Sequence, residues 1–148
     1  MCVERATMNP LAAPKIVFHP WVSWAQRLTI KGCNLPGVYL LAQFDQPPLD
    51  PVEHTAQEVV YIGETCNRKL TQRWYEFGRS AFEAKYGHSA GWTYCDKCYD
   101  QGEQLYVSAF PVQDLSGEAA SHFIRYVERK LLWEFVCRWG HAPVCNRK

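Results

Sequence analysis

The sequence predicts an α+β fold, a small three-stranded sheet with antiparallel or mixed strands, flanked by helices in the order β-β-α-β-α. Three observations predict it. Two short runs rich in aromatic and β-branched residues, GVYLLAQF at 37–44 and EVVYIG at 58–63, are separated by a polar, proline-bearing gap, as in a hairpin. A third such run, LYVSAFPV at 105–112, stands apart from them. Two further stretches, RKLTQRWYEFGRSAF from residue 68 and SHFIRYVERKLLWEFVCRWG from residue 121, carry apolar residues at helical spacing. Strands and helices in that order make one sheet with helices packed on it.

Residues 1–36 read as an N-terminal tail and an aromatic lead-in, and the domain runs over 37–148. In the lead-in, PKIVFHPWVSWAQRLTI places a short helix after Pro20, with Trp21 and Trp24 capping the core. On the first strand, alternation sets Tyr39 on the face of Leu41; on the second, it sets Tyr61 with Val59 and Gly63. FDQPPLDPVEH is a long loop between them. Asn67 caps the next helix, whose apolar stripe is Leu70, Trp74, Phe77 and Ala81, with Arg73 at its edge. YCDKCYDQGEQ reads as a second long loop before the third strand. Ser121 caps the last helix and Gly140 stops it; its apolar face is Ile124, Val127, Leu131, Leu132, Phe135 and Trp139.

A chain of 148 residues with 47% hydrophobic content suits one compact domain. Sixteen Lys and Arg against 15 Asp and Glu leave a net charge of +1, which excludes a chain that binds nucleic acid by bulk charge and makes any basic surface local. Apolar runs are short and broken by charges, and MCVERATMNP lacks the features of a signal peptide, so no membrane span is expected and the expected compartment is the cytoplasm. Seven cysteines without an export signal make a disulfide framework a poor expectation. Cys95 and Cys98, in CDKC, read first as a thiol-bearing turn before a strand. The alternative is a structural Zn²⁺ site, with His88, Cys66 or Asp100 as further ligands.

Glu128 breaks the pattern, because it falls inside the apolar face of the last helix. A buried carboxylate needs compensation from a cation, a hydrogen-bond network or a metal ion. Periodicity alone leaves a structural pair, to Arg125 or Arg129, level with a functional acid, although both arginines project away from the stripe. Arg73 taken alone is a snorkelling side chain whose stem covers apolar surface. Together with Tyr39, Tyr61 and Glu128 it makes a set sufficient for phosphodiester hydrolysis. The carboxylate would hold a divalent cation, the guanidinium would stabilise charge developing on phosphorus, and a phenol would orient or deprotonate water. A phenol of pKa ~10 is a poor base near neutrality unless the cations assist it.

These motifs resemble the GIY-YIG nuclease superfamily. GVY at 37–39 stands for the first half of its signature and YIG at 61–63 matches the second. NRKLTQRW resembles the helix of the catalytic arginine, YVERKLLWEF the helix of the metal-binding glutamate, and PVCN ends on an asparagine where the family places one. The resemblance spans Gly37 to Asn146. It implies a β-β-α-β-α domain cleaving DNA with one Mg²⁺ or Mn²⁺. Glu128 would bind the metal, Tyr39 would act on the nucleophilic water, Tyr61 would support the water or the scissile phosphate, and Arg73 would clamp the phosphate. Asn146 and Gly63 would order the site from behind. The chain departs from the family in three places: Tyr39 and Tyr61 are 22 positions apart, which requires an extended hairpin loop; Glu64 follows YIG where repair members carry lysine; and Phe77 stands where a tyrosine or histidine is common. His88, in the glycine-flanked YGHSAGW, is the best stand-in, with Lys69 and Tyr75 behind it; a lone loop histidine is otherwise simply solvated.

The expectation is therefore a metal-dependent DNA endonuclease, with Arg68, Lys69, Arg79 and Lys85 beside Arg73 as the DNA-binding patch; a homodimer would double it. The same residues also describe an ordinary solvated helix face. Two other classes stay open: a noncatalytic interaction module of the same fold, favoured by Glu64 and Phe77, and a zinc-stabilised binding module built on Cys95 and Cys98.

Overall fold

The computed structural model describes residues 11–96 and 102–147. Its sheet has four antiparallel strands, β1 (Val22–Ser23), β2 (Gly37–Gln43), β3 (Val59–Thr65) and β4 (Leu105–Pro111), in the order β1-β4-β2-β3. The expected three are all present. The fourth is a two-residue edge strand in the lead-in, where Val22 pairs with Val107 and Ser23 with Tyr106. Pairs this short carry no alternation to read, so the sequence showed only a helix there. That helix is a 3₁₀ turn, Trp24–Thr29, whose Trp24 is buried as expected.

Helix α1 (Leu70–Glu83) and helix α2 (Ser89–Asp96) cover one face of the sheet, and α3 (Gly117–Trp139) covers the other. The α1 stripe is as periodicity requires: Leu70, Trp74, Phe77 and Ala81 are all buried against Tyr39, Leu41 and Val107. On the far face Ile124, Val127, Leu131 and Phe135 of α3 meet Val38, Leu40 and Ile62, with Leu132 and Trp139 half-buried beside them. Both helix starts differ from expectation. Lys69 occupies the cap position of α1 without a side-chain bond, so Asn67 lies two residues outside. α3 begins at Gly117 and swallows Ser121, because Ser116 already turns the chain in extended geometry. Gly140, at φ 79°, ends α3 in the left-handed conformation that favours glycine.

α2 was not expected at all. HSAGWTY reads as a loop because its glycine and polar residues lack a stripe, yet Ala90, Gly91 and Tyr94 pack on α1. A Cβ at Gly91 would stand 2.6 Å from Ser80 Cβ and 2.7 Å from the Phe77 carbonyl, so the glycine is what lets the two helices close. Cys95 lies in the last turn of α2, and Cys98 lies outside the described residues. The long loop after β2 is pinned to α3: Trp139 Nε1 donates to the Thr55 carbonyl at 2.8 Å, and His54 Nε2 meets Glu134 Oε1 at 2.8 Å. Among the described residues no helix is long and apolar enough to cross a membrane.

Candidate active site

β3 is an edge strand, so one of its margins is open, and the candidate residues gather there from both faces of the sheet. A β-bulge sets this up. Leu41 pairs with Tyr61 and Ala42 with Val59, leaving Val60 as the extra residue. Tyr61 stays on the α1 face in register with Leu41, the bulge brings Val60 to the same face, and Val59 packs under α3. Tyr61 and Val59 therefore do not share a face, contrary to simple alternation. Tyr61 instead joins Tyr39, at a ring-centroid distance of 5.8 Å. Gly63, opposite Tyr39 in register, has no side chain to separate them.

The open edge is a cleft of about 550 Å³ lined by Tyr61, Ser89, Thr93, Glu128, Arg129, Leu132, Cys145, Asn146 and Arg147. Three expected residues thus meet: Tyr61 from β3, Glu128 from α3, and Asn146 from the C-terminal 3₁₀ turn Val144–Asn146. Asn146 acts as a short surrogate strand. Its Oδ1 accepts from Ile62 N and its Nδ2 donates to Ile62 O, both at 2.9 Å, closing the unpaired edge beside Tyr61.

Tyr39 is placed differently from the family-based expectation. It is wholly buried behind Tyr61, edge-on to Trp74, and does not line the cleft. Burial pushes its phenol well above the ordinary range, and Tyr61 is pushed up to about 12, again chiefly by burial, with Arg73 pulling it down and Glu128 pushing it up. The two phenols also act on each other, Tyr61 raising Tyr39 and Tyr39 lowering Tyr61. The more deeply buried Tyr39 thus keeps its proton, and Tyr61 is the phenol whose proton is available to the cleft.

His88 is no swinging loop residue. It stands immediately before α2, 2% exposed, held by a bond from its backbone N–H to Ser80 Oγ at 3.0 Å. Its Nε2 lies 3.0 Å from Tyr39 Oη, while its Nδ1 is buried without a partner among the described residues. An orphaned lone pair is cheaper to bury than an orphaned N–H, so Nδ1 is the bare nitrogen and Nε2–H donates to Tyr39. Burial, then the nearby Arg73 charge, pushes this imidazole down to about 3, so it stays neutral. His88 thus donates to Tyr39, whose ring lies against that of Tyr61 at the cleft.

Arg73 stands near enough to both tyrosines to act on them by charge but is not among the cleft residues. Its Nη1 bonds Glu76 Oε2 at 2.5 Å, and Arg68 binds the other oxygen of the same carboxylate. Glu76 was not anticipated; three residues along the helix from Arg73, it had a legible signal in the i, i+3 spacing. Of the expected DNA contacts, Arg68 is thus already paired, Arg79 lies over the Tyr75 ring at 5.8 Å, and Lys69 and Lys85 are exposed. Arg129 and Arg147, which do line the cleft, were not among those contacts.

Glu128 is 18% exposed, and its carboxyl is raised by burial and by the neighbouring charge of Glu64. Arg129 Nε reaches it at 3.4 Å, so the ion pair that the helical projection argued against does form, through a side chain that is 83% exposed. Such a pair is weakly held. A half-buried acid beside a second acid, with one loose partner, suits a divalent cation. No group of three His, Cys, Asp or Glu that could hold a metal occurs among the described residues. Glu128, with no more than one further acid beside it, would leave most of the shell to water and phosphate oxygens, which fits Mg²⁺ or Mn²⁺ and not a closed zinc cage. No family model, curated protein or solved structure matches the chain.

Proposed function

We propose that the chain is a metal-dependent endonuclease of the GIY-YIG type that hydrolyses DNA phosphodiester bonds. The observation that carries the reading is the meeting of Tyr61 and Glu128 across one open cleft, with the Tyr61 ring backed by Tyr39, itself bonded to His88, and with Arg73 nearby. Glu128 is the residue that would hold the cation. When bound, Mg²⁺ or Mn²⁺ supplies charge neutralisation and a water of lowered pKa. Tyr61, not Tyr39, is the phenol that meets the attacking water; Tyr39 stabilises its oxyanion by donating to it, and neutral His88 holds Tyr39 in that role. Arg73 contributes positive charge toward the tyrosines, and its release from Glu76 would let it reach phosphate. Arg129 and Arg147 border the cleft where the strand would lie.

The test is supercoiled plasmid incubated with Mg²⁺ or Mn²⁺, beside Glu128→Ala. Metal-dependent nicking lost in a folded Glu128→Ala protein is the expected result. Undiminished cleavage by that variant refutes the metal assignment. A noncatalytic module of the same fold is the second reading, favoured by one observation, the tie between Arg73 and Glu76 that occupies the guanidinium. Absence of cleavage on plasmid, branched DNA and RNA would turn the choice that way.

A further inference from the structure

The exposed flank of α3 beside the cleft carries a pattern that the hydrolytic residues leave unused. At ~100° per residue, Glu128 and Leu132 face the cleft, Arg125 and Arg129 come next, and Trp133 and Tyr126 follow, about 140–160° round from Glu128. Trp133 is 67% exposed and Tyr126 57%. Two large rings left in water on one helix face are an unfilled contact surface, unlike the neighbouring Trp139, whose ring packs and whose N–H is bonded.

The charges on either side of these rings differ. On the far side Lys130 Nζ binds Glu134 Oε2 at 2.6 Å and His54 binds the other oxygen, so that flank is neutralised internally. On the cleft side Arg125 makes no ion pair among the described residues, and Arg129 reaches only Glu128. Positive charge thus borders the rings on the side continuous with the cleft.

An exposed ring next to available guanidinium groups complements a nucleotide strand whose bases are unpaired: the base stacks on the ring and the phosphates meet the cations. An intact duplex keeps its bases stacked on one another and offers the rings little. We propose that Trp133 and Tyr126, flanked by Arg125 and Arg129, form a stacking platform for an unpaired stretch of DNA adjoining the cleft, so that DNA with single-stranded segments binds in preference to blunt duplex. This rests on the nuclease reading of the cleft.

The test is fluorescence anisotropy in EDTA, with labelled oligothymidine, a blunt duplex and the same duplex carrying a single-stranded overhang. Wild-type protein is expected to bind the first and third more tightly than the second. Trp133→Ala should weaken both by roughly tenfold while leaving the blunt duplex within about twofold, and Trp133→Phe should retain most of the affinity. Both variants change an exposed ring, and an unaltered melting temperature checks the fold. Wild-type affinity of Trp133→Ala for single strands overturns the platform, as does an equal loss on all three DNAs. Sedimentation showing a dimer that Trp133→Ala dissociates also overturns it, assigning the face to a second copy. If wild-type protein binds none of the DNAs, the nuclease reading falls with the platform.

Discussion

Gly63→Ala is the sharpest test of how the two tyrosines are held. A Cβ there would stand 2.4 Å from Tyr61 Cε2, 2.7 Å from Tyr39 Cζ and 2.9 Å from Tyr39 Oη. Neither ring can yield freely, since Tyr39 is 0% exposed against Trp74 and bonded to His88. Overpacking of this kind costs about 1–3 kcal/mol, and the lost freedom of the unfolded chain offsets roughly 0.4–1 kcal/mol of it. The net destabilisation runs up to about 2.6 kcal/mol, a fall in melting temperature of up to roughly 5–10 °C for a chain of this length, and two unyielding rings put it toward the upper end. Gly78→Ala is the control. Its Cβ would make ordinary contact with Trp24 Cζ2 at 3.5 Å, within α1, so helix propensity should stabilise it by about 0.8–1 kcal/mol. Thermal melting of the two variants should therefore shift in opposite directions. Displacing the phenols by even ~1 Å should also lower plasmid cleavage about a hundredfold. A Gly63→Ala protein with wild-type melting and cleavage would refute the tyrosine packing and the role assigned to it.

Asn146→Ala removes both bonds to Ile62 and leaves an edge N–H and C=O unpaired, which should cost about 1–3 kcal/mol in denaturant unfolding; Asn146→Asp, which loses the donor and sets a carboxylate against the Ile62 carbonyl, should be no better. His88 predicts an acid limb. Its folded pKa of about 3 lies below the ordinary 6.5, so between those values the unfolded chain binds a proton that the folded one does not, and stability falls as pH falls. By pH ~4 the loss is about 3 kcal/mol, and the difference between the urea-derived unfolding free energies at pH ~7 and pH ~4 should shrink by that amount in His88→Asn. An unchanged acid limb in that variant would mean that the histidine is not buried neutral.

The elements that could be read from the sequence were those whose own periodicity encodes them. Leu70, Trp74, Phe77 and Ala81 fall on one helical stripe, and all four are buried. Glu128 was noticed because it interrupts such a stripe, and it lines the cleft. What escaped depends on contacts distant in sequence. The Val22–Ser23 strand exists because β4 offers it an edge, and α2 exists because Gly91 admits close approach to α1. The bulge at Val60 put Val59 on the face opposite Tyr61, since one extra residue defeats any argument from alternation. His88 was singled out by chemistry, but its burial and its bond to Tyr39 could not be foreseen from a glycine-flanked segment.

The order of the two phenols follows from where in the sheet each strand lies. Tyr39 lies on β2, a central strand between β3 and β4, so whatever face it points to is covered. Tyr61 lies on the edge strand, where the bulge, Gly63 and the Asn146 clamp jointly fix its position beside open space. A buried phenol is hard to ionise, and a phenol at an open edge is easier to ionise when a buried neighbour donates to its oxygen. The pairing of a glycine with a tyrosine on each strand therefore has two different meanings. Gly37 allows close backbone packing, its Cβ position lying 2.3 Å from the Phe110 carbonyl, whereas Gly63 makes room for the rings themselves. Position 37 serves the sheet, and position 63 serves the packing of the two phenols at the cleft.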